Sequence, residues 1–207
     1  MLKKMKKTII MLFILALQAV GALAQNPTLA RKVLDRAAAV VGNKSGVSAH
    51  FSVSGKKIGT TSGTIAIKGR MFHASTPKAI VWYNGKTQWS YLRSTNEVNV
   101  TTPSAAQRMQ MNPYAFITLY KSGYNMGISR KGGSYVVHLT AQGRKKAVQE
   151  MYLTINVKTY VPSVVKMKEN NTWITLTVSG FKAKNIPNRT FSFKQKDFPT
   201  AEVVDLR

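Results

Sequence analysis

The chain has 207 residues, no cysteine, and a formal charge of +24 from 31 basic and 7 acidic side chains. Without cysteine there is no disulfide, no thiolate metal site and no lipid attached through a thiol, so stability must come from an apolar core. Few carboxylates and three histidines also leave little material for convergent acid–base or metal chemistry.

The N-terminus reads as an export signal over residues 1–24. Lys3, Lys4, Lys6 and Lys7 precede an apolar run over residues 8–19, short of the ~20 residues that a membrane span needs. Ala22-Leu23-Ala24 then offers small residues for cleavage before Gln25. Removal takes four lysines and no acid, so the formal charge falls from +24 to +20 on one domain, residues 25–207. Inside a cell that charge would suggest nucleic acid. Outside the inner membrane the expected partners are an anionic membrane surface or anionic head groups on a cargo, and no nucleic acid.

Residues 26–41 predict a helix with Thr28 as N-cap. Leu29, Val33, Leu34, Ala37, Val40 and Val41 form one apolar stripe, and Gly42-Asn43 predicts a left-handed stop. From Gly46 the period changes to two. Val47, Ala49, Phe51 and Val53 alternate with serines and His50. Residues 63–72 predict a second strand, with Ile65 and Ile67 on one face. Strands over 79–83, 87–92 and 97–101 follow, the last carrying Val98 and Val100. Between two of these, Asn84-Gly85 predicts a two-residue hairpin turn. The stretch VWYNGKTQWSY around it concentrates Trp82, Tyr83, Trp89 and Tyr91.

Asn112-Pro113 starts a second predicted helix, 113–121, with Phe116, Leu119 and Tyr120; Met109 and Met111 precede it. Strands over 124–129, 134–140, 149–157, 162–168, 172–179 and 188–194 complete the pattern, with a further pairing expected in the tail. About ten or eleven strands and two helices predict a mainly β protein. The architecture is a single curved antiparallel sheet, an unclosed half-barrel covered by short α-helices. Each helix has a single apolar stripe, so both are expected to cover the concave face.

The motifs of catalysis are missing. His50, His73 and His138 stand apart from one another, and no GxSxG turn or phosphate-binding loop occurs. No two of the carboxylates read as a hydrolase pair. The expectation is a protein that is not an enzyme and uses no cofactor or metal.

The order of GVSAHFSV, GTIAIKGRMF, VWYNGKTQWSY, NEVNV, NPYAF and FSFKQKDFP resembles the LolA-type periplasmic lipoprotein carriers and their relatives in Bacteroidetes. The sharpest piece is NGKTQWSY, which is similar to that family's D/N-G-K-T-x-W-x-Y signature. The resemblance implies a monomeric periplasmic carrier that holds acyl chains of lipoproteins or related lipids in an apolar cavity. It would receive them from an inner-membrane lipoprotein-releasing transporter and deliver them to an outer-membrane acceptor. Phe51, Ile65, Ile67, Trp82, Trp89, Tyr91, Val98 and Val100 are the expected cavity residues, under a lid bearing Leu34, Phe116, Leu119 and Tyr120. In the family a basic residue followed by proline takes part in lid closure and release. Here Lys68-Gly69-Arg70-Met71-Phe72 lacks the proline, and Arg70 is the candidate for that role. The alternative is a non-transporting lipid- or protein-binding module of envelope assembly on the same scaffold.

Overall fold

A computed structural model describes residues 26–104 and 119–207. The expected signal peptide, the methionines 109 and 111, Phe116 and the start of the second helix lie outside the described residues. The first helix, α1, spans Pro27–Val41. Asn26, not Thr28, caps it: the Asn26 side-chain oxygen accepts the Leu29 N–H at 2.9 Å, and Pro27 opens the first turn. Proline at that point has no N–H to leave unpaired, so the capping residue has to be the one before it. Asn26→Ala should therefore lower stability by ~1 kcal/mol, read as a shift in the denaturation midpoint. Gly42 closes the helix without the expected left-handed turn; its φ is −84°, and its N–H donates to Ala38 O at 2.9 Å.

Among the described residues twelve strands follow, all in one sheet. They are β1 (Val47–Gly55), β2 (Gly59–Lys68), β3 (Met71–Ser75), β4 (Ala79–Tyr83), β5 (Gln88–Leu92) and β6 (Glu97–Thr101). After the second described segment begins come β7 (Tyr124–Lys131), β8 (Ser134–Ala141), β9 (Val148–Asn156), β10 (Pro162–Glu169), β11 (Thr172–Ala183) and β12 (Glu202–Asp205). Their order across the sheet is β12-β6-β5-β4-β3-β2-β1-β11-β10-β9-β8-β7. Every pairing is antiparallel except β12 with β6, which is parallel. The two edge strands, β12 and β7, do not pair with each other, so the sheet stays open. The mainly β, unclosed architecture expected from the periodicity is what the chain adopts.

Three local expectations change. The predicted strand 63–72 is two strands that meet at a Gly69-Arg70 turn, where Gly69 takes φ +57°. The Asn84-Gly85 hairpin is a four-residue loop, because Tyr83 pairs with Gln88. Asn84 acts there through its side chain, accepting the N–H groups of Lys86 and Thr87 at 2.9 Å each, while Gly85 alone takes positive φ. Residues 188–194 are not a strand but a short 3-10 turn, Asn188–Phe191, and an extended run beyond it.

Two apolar clusters lie on one face of the sheet, called the inner face below. The larger joins the underside of α1 to β7–β10, with Leu34, Val137, Leu139, Met151, Leu153 and Ile155 fully buried. The smaller lies over β1–β4 and contains Val47, Ile67, Phe72 and Tyr83. Two contacts pin the helix. Asp35 accepts a hydrogen bond from the Tyr120 hydroxyl. Arg36 donates to the Tyr160 hydroxyl at 2.7 Å and lies over its ring.

Candidate functional site

Between the two clusters the inner face does not close. A cavity of about 390 Å³ remains, within the range of ligand pockets. Its walls come from strands that are neighbours in the sheet, together with Val41 at the end of α1. β1 contributes Ala49, Phe51 and Val53, and β2 contributes Ile65 and Ile67. β10 and β11 contribute Val165, Met167, Ile174, Leu176 and Val178. The register explains why these side chains converge: Val53 is opposite Leu176, Phe51 opposite Val178, Ala49 opposite Ile65, and Val165 opposite Leu176. Cross-strand partners share a face, so one alternating pattern in each strand makes a continuous apolar wall. Glu169 is the only ionisable residue in this lining. Opposite Phe51 stands Gly63, whose missing side chain gives room. A Cβ there would lie 2.0 Å from the Ser75 carbonyl oxygen and 3.1 Å from the tip of the Phe51 ring.

The expected cavity residues divide into two groups. Phe51, Ile65 and Ile67 line the cavity. Trp82, Trp89, Tyr91, Val98 and Val100 do not: they stand on the opposite, outer face. Trp82 is opposite Trp89, Trp89 opposite Val100, and Tyr91 opposite Val98, whereas the inner face of β4 carries Val81 and Tyr83. Trp89 and Tyr91 do share a side, as their parity requires. That side is covered by the chain's own C-terminal segment. Trp82 meets the Phe193 and Phe198 rings edge-on, each at 5.5 Å between centroids, and Tyr91 lies 4.7 Å from Phe198. These spacings are those of favourable aromatic pairs. Thr200 accepts a hydrogen bond from Asn96 at 2.7 Å and β12 zips onto β6, fixing the strap in place.

His73 packs against Trp82 in the same cluster, with tilted rings 5.5 Å apart between centroids, and burial pushes its pKa below 6.5. The unfolded chain then takes up this proton first, so the fold loses stability as pH falls below about 6.5. The thermal midpoint should fall between about pH 7 and pH 5, and His73→Gln should flatten that dependence. A slope equal in both proteins would remove His73 as its source.

Among the expected lid residues, Leu34 is packed solid beneath α1 rather than over the cavity; the helix residue at the cavity is Val41. Leu119–Lys121 form a short 3-10 turn in which Tyr120 is buried and tied to Asp35, with Leu119 against the larger cluster. Phe116 lies outside the described residues. Arg70 sits exposed in the β2–β3 turn and makes no ion pair among the described residues.

A wider depression of about 790 Å³ opens beside the first turns of α1 and β7, but Arg31, Asn125, His138 and Gln142 make it polar. Nearby on the outer face, His138 lies parallel to Tyr152 at 4.2 Å, and Glu150 binds both, at 3.0 Å and 2.9 Å. Burial first, then the Glu150 hydrogen bond, raises the Tyr152 pKa. Among the described residues no group of three metal-binding side chains converges.

The alternation of Ile174, Leu176 and Val178 is plain in the sequence, but nothing there assigns it to a site. Their face was legible; their partnership with β1, more than a hundred residues earlier, was not.

Comparison with known proteins agrees with this fold. The family described as outer membrane lipoprotein carrier protein LolA matches residues 20–171. An uncharacterised conserved protein from Thermus thermophilus superposes with a TM-score of 0.59 at 17% identity, covering 85% of this chain and 98% of that one. A LolA superfamily protein from Nitrosomonas europaea gives a TM-score of 0.45 at 11% identity, over 79% of this chain and 97% of that one. No curated protein sequence matches the chain.

Proposed function

The chain belongs to the family described as outer membrane lipoprotein carrier protein LolA, and on that premise we propose that it is a periplasmic, non-enzymatic carrier of acyl chains. The cargo is the acyl part of lipoproteins or related lipids, moved from the inner to the outer membrane. The observation that supports this is the cavity of about 390 Å³, walled by Phe51, Ile65, Ile67, Leu176 and Val178. An acyl chain crossing water exposes each CH₂ at a cost of ~0.8 kcal/mol, and a dry wall of β-branched and aromatic side chains removes that cost. The sheet is open at both edges, so the cavity can fill and empty without breaking a closed barrel. Such a carrier needs no cofactor and no covalent step.

Native mass spectrometry of protein purified from its own host tests the reading. Co-purifying lipid or lipoprotein is the expected result. A ligand-free mass, together with no binding of a fluorescent fatty acid by the purified protein, would favour the non-transporting envelope module instead.

A further inference from the structure

The cavity ends at one rim of the sheet, where two hairpin tips stand side by side. The β1–β2 tip is Lys56-Lys57-Ile58, and the β10–β11 tip runs from Lys168 to Trp173. They are adjacent because Gly55 pairs with Ile174. Ile58 and Glu169, one from each tip, both line the cavity, so this rim is its mouth.

Two large apolar side chains on these tips are exposed to water: Ile58 at 54%, on the cavity side, and Trp173 at 41%, on the outer face beside Tyr152. Lysines surround them. Lys56 and Lys57 are exposed and form no ion pair among the described residues, while the Lys168 ammonium lies 6.0 Å from the Trp173 ring centroid. The opposing charges are Glu169, on the cavity side, and Glu150, across from Lys168 in β9. An exposed indole and an aliphatic tip ringed by cations are chemically matched to the boundary of an anionic bilayer. There the ring sits at head-group depth and each lysine near the surface contributes ~1 kcal/mol.

We propose that the paired tips are a membrane-docking surface that sets the cavity mouth against anionic lipid head groups. This rests on the carrier reading for its purpose, though not for its test. Docking at the mouth spares an acyl chain the passage through water between bilayer and cavity. The excess of lysine elsewhere on the protein steers the encounter; the two tips fix the orientation.

Cosedimentation of the cargo-free protein with vesicles provides the test. Vesicles of phosphatidylcholine alone are compared with vesicles containing about one third phosphatidylglycerol, a surface charged enough to attract juxtaposed lysines. The protein should partition onto the anionic vesicles and lose this binding with added salt. Lys56→Glu/Lys57→Glu should weaken partitioning by at least ~tenfold, and Trp173→Ala should weaken it as well. Lys194→Glu/Lys196→Glu makes the same change in net charge on residues of the C-terminal segment. It should leave partitioning within about twofold of wild type, since screening confines such charges to their own neighbourhood. Equal losses in the two double variants would overturn the proposal in favour of diffuse charge. Equal binding to neutral and anionic vesicles, or none to either, would also overturn it. Fluorescent fatty-acid binding in vesicle-free solution is measured on the same variants. Retained acyl binding beside failed docking would sink this proposal alone, whereas lost acyl binding in wild type would sink the carrier reading.

Discussion

Trp82→Ala should cost about 3–5 kcal/mol of stability and leave acyl binding per folded molecule unchanged. Trp82 is 7% exposed and lies between His73, Phe193 and Phe198, so truncation opens a hole at the centre of the outer cluster. It also loosens the C-terminal strap, whose Phe198 bridges Trp82 and Tyr91. None of these rings reaches the inner cavity. Chemical denaturation gives the stability loss, and a fluorescent fatty-acid titration on the remaining folded fraction gives the affinity. A fall in affinity at unchanged stability would place Trp82 in the ligand site and contradict the register that puts it on the outer face.

The second large effect is the converse. Leu176→Trp adds a ring to the wall of the cavity, opposite Val53 and Val165. There is empty volume to receive it, so the thermal midpoint should change little. Acyl affinity should fall at least tenfold, about 1.4 kcal/mol, because the ring takes the ligand's place. If instead the cavity is collapsed in solution, the same ring is overpacked and costs ~1–3 kcal/mol of stability. Retained affinity in a folded Leu176→Trp protein would move the acyl site elsewhere.

These two variants mark how far the sequence could be read. Alternation in each strand identified which residues share a side: Trp89 with Tyr91, Ile65 with Ile67, Ile174 with Leu176 and Val178. It did not say which side faces inward, because that depends on the register between strands and on what covers each face. In β4 both faces are apolar, so hydrophobicity could not choose; in β5 Gln88 and Ser90 face inward and the apolar side, Trp89 and Tyr91, is the outer one. The deciding contact comes from Phe193 and Phe198, in a segment whose own alternation resembles a strand. The Gly69-Arg70 turn was hidden for a related reason. Apolar residues continue through it at strand-like spacing, and only the positive φ at Gly69 reverses the chain. Helix α1 was legible as a stripe, but its cap was not, because Asn26 and Thr28 are both good capping residues and Pro27 decides between them.

The position of β1 has a kinetic consequence. The strands divide into two runs of local hairpins, β1 to β6 and β7 to β11, joined only where β1 pairs with β11 in the middle of the sheet. As the chain is synthesised, the first run can assemble while residues 172–183 do not yet exist. Until they arrive β1 is a bare edge, and the sheet's central seam closes late, with only the β12–β6 pairing supplied by later residues, after a long loop closure that slows folding. An unpaired edge in a growing chain is where wrong pairing between molecules begins. Ser48, His50, Ser52 and Ser54 along one side of β1 make that transient edge polar on its outer face, which protects the nascent protein during the wait.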